Sequence, residues 1–167
     1  MSTLRIAGIV RQSIVDGDGL RMVLFTQGCP HNCPGCHNPE THAFDGGYDC
    51  ESTVILAEFD KNPLLKGVTI SGGEPFLQAE ALVPLALAVK ARGKDLWCYS
   101  GYTFEQLCAM AEKDSAIGEL LSLLDVLVDG PYLHEQRDLT LRFRGSANQR
   151  IIYVPRIPAL GVAATAS

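Results

Sequence analysis

The sequence predicts an α/β protein with a parallel sheet and helices packed against it, on three observations. Short runs rich in β-branched residues recur along the 167 residues, at Leu4–Val10, Met22–Thr26, Val68–Ile70, Leu96–Tyr99, Val126–Val128 and Ile151–Val154. Helical patterns lie between several of them, and alternating strands and helices imply a parallel sheet. The loops that follow the strands hold the glycines, cysteines and acids, and in such a sheet the carboxyl ends of the strands share the face where sites are built.

Taken in order, the strand Met22–Thr26 runs into a loop with Gly28, Cys29, His31, Cys33, Gly35 and Cys36. Residues 53–60 place Ile55, Leu56 and Phe59 at helical spacing. The strand Val68–Ile70 runs into Ser71, Gly72, Gly73, Glu74 and Pro75. Pro84 suits the first turn of a helix reaching about Arg92, with Gly93 as the residue just past its end. Leu96–Tyr99 leads to Ser100, Gly101 and Tyr102, and Thr103 with Gln106 forms a capping box that opens a helix through Leu107, Met110 and Ala111. Val126–Val128 leads to Asp129, Gly130 and Pro131. Residues 1–154 are expected to be a single domain and 155–167 a flexible C-terminal tail.

Composition excludes several classes. An apolar fraction of 47% and a charged fraction of 20% are those of an ordinary globular chain, not of a disordered, fibrous or coiled-coil one. The longest uncharged apolar stretch, Ala81–Val89, contains Pro84 and falls well short of the roughly 20 residues that cross a bilayer. Fourteen basic against nineteen acidic residues give a net charge of −5 without a basic block, so neither nucleic acid nor membrane is expected as a partner. Met1–Gly8 carries no signal-peptide pattern, and the expected location is cytoplasmic.

Of six cysteines, Cys29, Cys33 and Cys36 fall in one short loop made compact by Gly28, Pro30, Pro34 and Gly35. Thiolates select zinc, copper(I) or iron–sulfur clusters. A structural zinc site uses four closed ligands, commonly two separated C-x2-4-C pairs. The single C-x3-C-x2-C triplet fits three corners of a [4Fe–4S] cube with the fourth iron open. The alternative is zinc completed by His31, His37 or Cys50. Cys98 in an apolar strand and Cys108 in an amphipathic helix read as small hydrophobes, and Cys50 as a spectator.

The cysteine loop, followed one helix and strand later by Gly72, Gly73, Glu74 and Pro75, resembles the radical S-adenosylmethionine (SAM) enzymes. That resemblance implies an incomplete, TIM-like βα barrel with helices outside. It further implies that Cys29, Cys33 and Cys36 hold the cube, and that the amine and carboxylate of SAM chelate the open iron. The stretch Val15–Arg21, then Leu24, Phe25, Gly28, Cys29, Pro30 and Cys33–Asn38, is similar to the activases of glycyl-radical enzymes. Trp97–Tyr102, Val126–Gly130 and Arg144, Gly145, Ser146, Asn148 and Gln149 narrow the likeness to the activases of anaerobic ribonucleoside-triphosphate reductase. It covers about residues 5–154. One departure is Gly35, where many radical SAM proteins place a bulky residue against the adenine; His37 or Tyr102 is left to do this.

The resemblance implies a reductive cleavage of SAM to methionine and a 5′-deoxyadenosyl radical, which takes a hydrogen atom from a backbone glycine of the reductase large subunit. A one-electron donor such as reduced flavodoxin or ferredoxin is implied too. No acid–base dyad is required, so no catalytic side chain is assigned. Gly35, Cys36 and His37 are expected to line SAM, with Gly73 and Glu74 bracketing its amine. His31 reads as a loop-ordering group, Asn38 as either a loop organiser or a turn residue. Asp129 either bonds the ribose or holds its own turn. Arg142, Arg144 and Arg150 either face the partner's glycine or form a solvated edge. Alternatives to this function are an activase of another glycyl-radical enzyme (pyruvate formate-lyase type), a small-molecule radical SAM enzyme, or a non-catalytic iron–sulfur electron carrier.

Cysteine spacing gives a direct test. Replacing Cys29, Cys33 or Cys36 by alanine is expected to abolish iron loading, whereas Cys50→Ala, Cys98→Ala and Cys108→Ala retain it, measured as iron per chain after anaerobic reconstitution.

Overall fold

Seven strands form one sheet in the computed structural model, which describes residues 2–31, 33, 36 and 39–156. They are β1 (Thr3–Ser13), β2 (Arg21–Thr26), β3 (Tyr48–Glu51), β4 (Gly67–Gly72), β5 (Asp95–Tyr99), β6 (Val126–Asp129) and β7 (Arg150–Tyr153), ordered β3-β1-β2-β4-β5-β6-β7. Four helices accompany them: α1 (Ser52–Asp60), α2 (Ala79–Ala91), α3 (Phe104–Ala111) and α4 (Ser115–Leu123). The expectations for Gly35, His37, Asn38 and residues 157–167 lie outside the described residues. A 3-10 turn, Val154–Arg156, carries the described chain past the boundary expected at 154.

The sheet is mixed, which corrects the all-parallel expectation. β2, β4, β5 and β6 run parallel, whereas β1, β3 and β7 pair antiparallel. Connection length explains the difference. A parallel crossover needs a dozen or more residues, usually with a helix. Residues 14–20 between β1 and β2 are too few for one, and the segment between β6 and β7 has only the 3-10 turn His134–Gln136.

Alternation along the parallel strands sorts the two faces. Met22, Leu24, Val68, Ile70, Leu96, Cys98 and Leu127 join residues of all four helices, among them Ile55, Leu82, Leu107 and Leu120, in one buried core. Their neighbours point the other way, where Trp97, Val126 and Val128 pack with Tyr99, Phe143 and Ile151. All the helices therefore cover one face. The other face is roofed by the segment between β6 and β7, and this leaves room for a cavity.

Element boundaries follow local chemistry. Thr103 Oγ1 accepts from the Gln106 amide at 3.2 Å and the Gln106 side chain accepts from the Thr103 amide at 2.8 Å, the capping box expected from sequence. Gly93, at φ +72°, closes α2 with its amide bonded to Lys90 O and the Lys94 amide bonded to Val89 O. Pro84 lies within α2 rather than at its start. The carbonyl that Pro84 deprives of its helical donor belongs to Glu80, an exposed residue. Two elements escaped the pattern reading. β3 is a polar edge strand formed by pairing with β1, and α4 is capped by Asp114, whose side chain accepts from the Ala116 amide at 3.0 Å. No helix among the described residues is long and apolar enough to cross a membrane.

The amino ends of the parallel strands are clamped by Arg21, which is fully buried. Its guanidinium donates to Thr69 Oγ1 at 2.7 Å, Asp18 O at 2.8 Å, Val68 O at 3.1 Å and the Asp95 carboxylate, and it lies 5.4 Å from the Trp97 ring. Removing one partner of a buried ion pair leaves the other uncompensated. Arg21→Ala is therefore expected to destabilise the protein by about 3 kcal/mol in urea unfolding.

Candidate cluster and cofactor site

The cysteine loop is pinned where it leaves β2. The Gly28 amide donates to Thr41 O at 2.7 Å and the Cys29 amide to His42 O at 3.1 Å. Gln27, almost buried, donates its side-chain amide to Glu40 O and Ala43 O at 3.0 and 2.7 Å. Gln78, at the end of the turn after Glu74, donates to Arg5 O and Gln27 O. The loop therefore starts from a base laced to β1 and to the segment before α2. Within it, the Cys36 amide donates to Cys33 O at 3.1 Å.

The Gly73–Glu74 turn locks onto this base. The Gly73 amide donates to Thr26 O and the Glu74 amide to Gly28 O, both at 2.8 Å. The approach is so close that a Cβ on Gly73 would stand 2.3 Å from Gly28 O and 2.9 Å from Thr41 O. Glycine is thus demanded here by the neighbouring backbone.

Glu74 has no solvent exposure, and its carboxylate turns inward. Its oxygens lie 2.6 Å from His31 Nε2 and 2.9 Å from Ser100 Oγ, and accept from the Gly101 amide at 2.8 Å and the Phe76 amide at 3.1 Å. His31 also meets the Tyr102 ring edge-on with centroids 4.5 Å apart. One carboxylate thus joins the cysteine loop, the turn after β4 and the turn after β5. This is the loop-ordering role read for His31. The Ser100 and His31 contacts to Glu74 were not readable beforehand, because the three residues are distant in sequence.

Cys29, Cys33 and Cys36 border one cavity of about 310 Å³, together with His31, Gly73, Ser100, Gly101, Gly130, Tyr132 and Arg144. The loops after β2, β4, β5 and β6 converge there, as strand ends of a parallel sheet do. Burial pushes the Cys33 thiol up, partly offset by a hydrogen bond with the Tyr132 backbone. No three His, Cys, Asp or Glu side chains among the described residues are gathered to hold a single metal ion. Of the candidate fourth zinc ligands, His31 is engaged by Glu74 and Cys50 lies on β3 opposite Leu4. Cys98 is fully buried in the helix-side core, and Cys108 packs against it from α3.

The remaining polar residues divide. Asp129 is fully buried and accepts from the Phe104 amide at 2.7 Å and from Arg150, so it ties the end of β6 to the start of α3 and to β7. Arg150 bridges Asp129 and Glu105, which raises its pKa further. The Arg142 side chain is 77% exposed and lies over the Phe143 ring. Arg144 alone of the three arginines borders the cavity.

Comparison with known proteins bears on this cavity. A family model described as a 4Fe-4S single cluster domain matches residues 15–152. The anaerobic ribonucleoside-triphosphate reductase-activating protein of Vibrio cholerae is 38% identical over 146 residues, which is 83% of this chain and 90% of the relative. The chain belongs to the family of anaerobic ribonucleoside-triphosphate reductase-activating proteins. Members of this family from Haemophilus influenzae and Escherichia coli are 37% and 34% identical over 83% and 81% of this chain, and over 90% of each relative. In fold, the chain is similar to QueE from Escherichia coli, with a TM-score of 0.51 at 18% identity over 60% of this chain and 54% of that one.

The Gly73 contacts yield a test on the family's cysteine loop. Gly73→Ala forces its Cβ against Gly28 O, so it is expected to lower stability by about 1–3 kcal/mol. Iron loading should fall with it, while Gly93→Ala, distant from the loop, lowers stability without affecting iron per folded chain.

Proposed function

We propose that this chain installs the glycyl radical of anaerobic ribonucleoside-triphosphate reductase by radical SAM chemistry, as an oxidoreductase. The observation that carries the reading is that the three thiols and the Gly73–Glu74 turn border or brace one cavity in a member of this family. A one-sided sheet with helices outside and the cavity inside supports an incomplete βα barrel, formed by one domain over residues 1–154. Cytoplasmic location and a reduced flavodoxin or ferredoxin as electron donor belong to the same reading.

In this reading Cys29, Cys33 and Cys36 hold a [4Fe–4S] cluster. Once reduced by its one-electron donor, such a cluster would supply the electron for reductive cleavage of SAM, the chemistry that would remove a hydrogen atom from the partner's glycine. The protein's own part is to hold and orient. The amides of Gly73 and Glu74 are already bonded to Thr26 and Gly28, and the Glu74 carboxylate is taken by His31, Ser100, Gly101 and Phe76. The turn thus has carbonyl oxygens to offer, and an ammonium group, which only donates, requires acceptors. Of the expected pair, Gly73 lines the cavity and would offer its carbonyl to the SAM amine, whereas Glu74, fully buried and with its carbonyl accepting from the Leu77 amide at 3.2 Å, would hold that turn from behind. Gly35, Cys36 and His37 line the rest of the cofactor.

Electron paramagnetic resonance tests the reading. The reduced, reconstituted protein is expected to change its cluster spectrum when SAM is added, and to give a glycyl signal with one 5′-deoxyadenosine per radical when the reductase follows. A spectrum indifferent to SAM would support an electron carrier instead.

A further inference from the structure

A glycine offers a partner no side chain to grip. If the reading above holds, the reductase segment that enters the cavity must be held by its main chain, whose carbonyl oxygens need donors once water is excluded. We propose that Arg144 is that donor, a substrate-positioning residue that grips main-chain carbonyl oxygens of the glycine segment.

The guanidinium borders the cavity, and its Nη1 is fixed by donation to Gln149 O at 2.6 Å. Its Nε is shut off from solvent and has no hydrogen-bond partner. A donor left without an acceptor is unfavourable, so the half-buried guanidinium gains by turning its free N–H toward an acceptor brought into the cavity. The acid of its own loop does not fill the role. Asp138 is engaged by the Thr140 amide at 2.9 Å and by the Thr140 hydroxyl.

The backbone is built to hold this arrangement. Phe143, immediately before Arg144, is the one non-glycine among the described residues with positive φ, at +65°. That conformation is maintained by its carbonyl, which accepts from Tyr99 Oη at 2.6 Å, and by its ring, set edge-on to Trp97 at 5.1 Å. On the other side Gln149 Oε1 accepts from the Gly145 and Ser146 amides at 2.8 and 3.1 Å. Strain of this kind gathers where a side chain must be aimed.

Position favours the partner over the cofactor. The thiols follow β2, whereas Arg144 belongs to the wall beyond β6, on the far side of the parallel strands. Val15, Leu141 and Phe143 border the same cavity, and Val15 is 70% exposed, an apolar rim suited to a polypeptide. In the proposed reading the SAM carboxylate already has iron as its cation.

The test uses Arg144→Met and Arg144→Lys beside wild type, with the reductase as probe. Iron content and the SAM-induced spectral change should match wild type in both. The Kd for the reductase, measured with SAM and without reductant, should rise tenfold or more in Arg144→Met, the worth of one hydrogen bond from a charged donor, about 1.5–3 kcal/mol. The glycyl radical yield should drop in parallel, and Arg144→Lys should restore part of both. Unchanged Kd and radical yield overturn the inference, as does loss of the SAM-induced change, which would assign the arginine to the cofactor. Should Arg144→Met melt early, Arg144→Lys decides: a wild-type Kd and yield overturn the inference, and a raised Kd with normal SAM response supports it. Wild type that gives no radical on the reductase overturns the functional reading itself, and the inference with it.

Discussion

Glu74 has no contact with water, so its environment is set by the groups around it. These come from three places: His31 in the cysteine loop, Phe76 in the turn that precedes α2, and Ser100 with Gly101 after β5. Loss of any one leaves the others facing an underbonded buried carboxylate, a penalty larger than a single surface hydrogen bond. The spacing between the loops is fixed by this mutual dependence. The cavity wall depends on it as well, because Cys29 and Cys33 flank His31 in sequence and Gly73 is fixed against Gly28. The close backbone contact at Gly73 and the polar knot at Glu74 act on adjacent residues, one by shape and one by hydrogen bonds.

Much of the frame was legible because it is written in local pattern. The six apolar runs became six of the strands, and the capping box at Thr103 and the stop at Gly93 formed as read. β3 was invisible because Tyr48, Asp49 and Glu51 have no apolar alternation, and the strand exists through its pairing with β1. The mixed direction of the sheet was missed because alternation of elements was weighed without the length of each connection. At the site, the cysteine triplet and the Gly72–Pro75 turn carry local signals. The inward turn of Glu74 and the burial of Arg21 do not, since each depends on residues tens of positions away, and the unpartnered Nε of Arg144 shows only in the folded loop.

The two walls of the cavity are made by different means. On the thiol side, bonds run between segments far apart in the chain: Gly28 and Cys29 to Thr41 and His42, Gly73 to Thr26, and the Glu74 carboxylate to His31 and Ser100. On the far side, residues 130–149 form no helix beyond a 3-10 turn. They are bonded largely to themselves, by main chain (the Ala147 amide to Gln136 O, the Asp138 amide to Gly145 O) and by side chains (Asn148 to Pro131 O, Gln149 to Gly130 O, and Ser146 Oγ to Asn148 Oδ1).

That asymmetry has an evolutionary meaning. A wall bonded across distant segments tolerates little insertion, because an added residue shifts partners in several loops at once. A wall bonded mainly within itself between two strands can lengthen, shorten or change its residues without disturbing the helices, which lie on the opposite face of the sheet. Sequence drift is therefore absorbed more readily in residues 130–149 than in the loops on the thiol side.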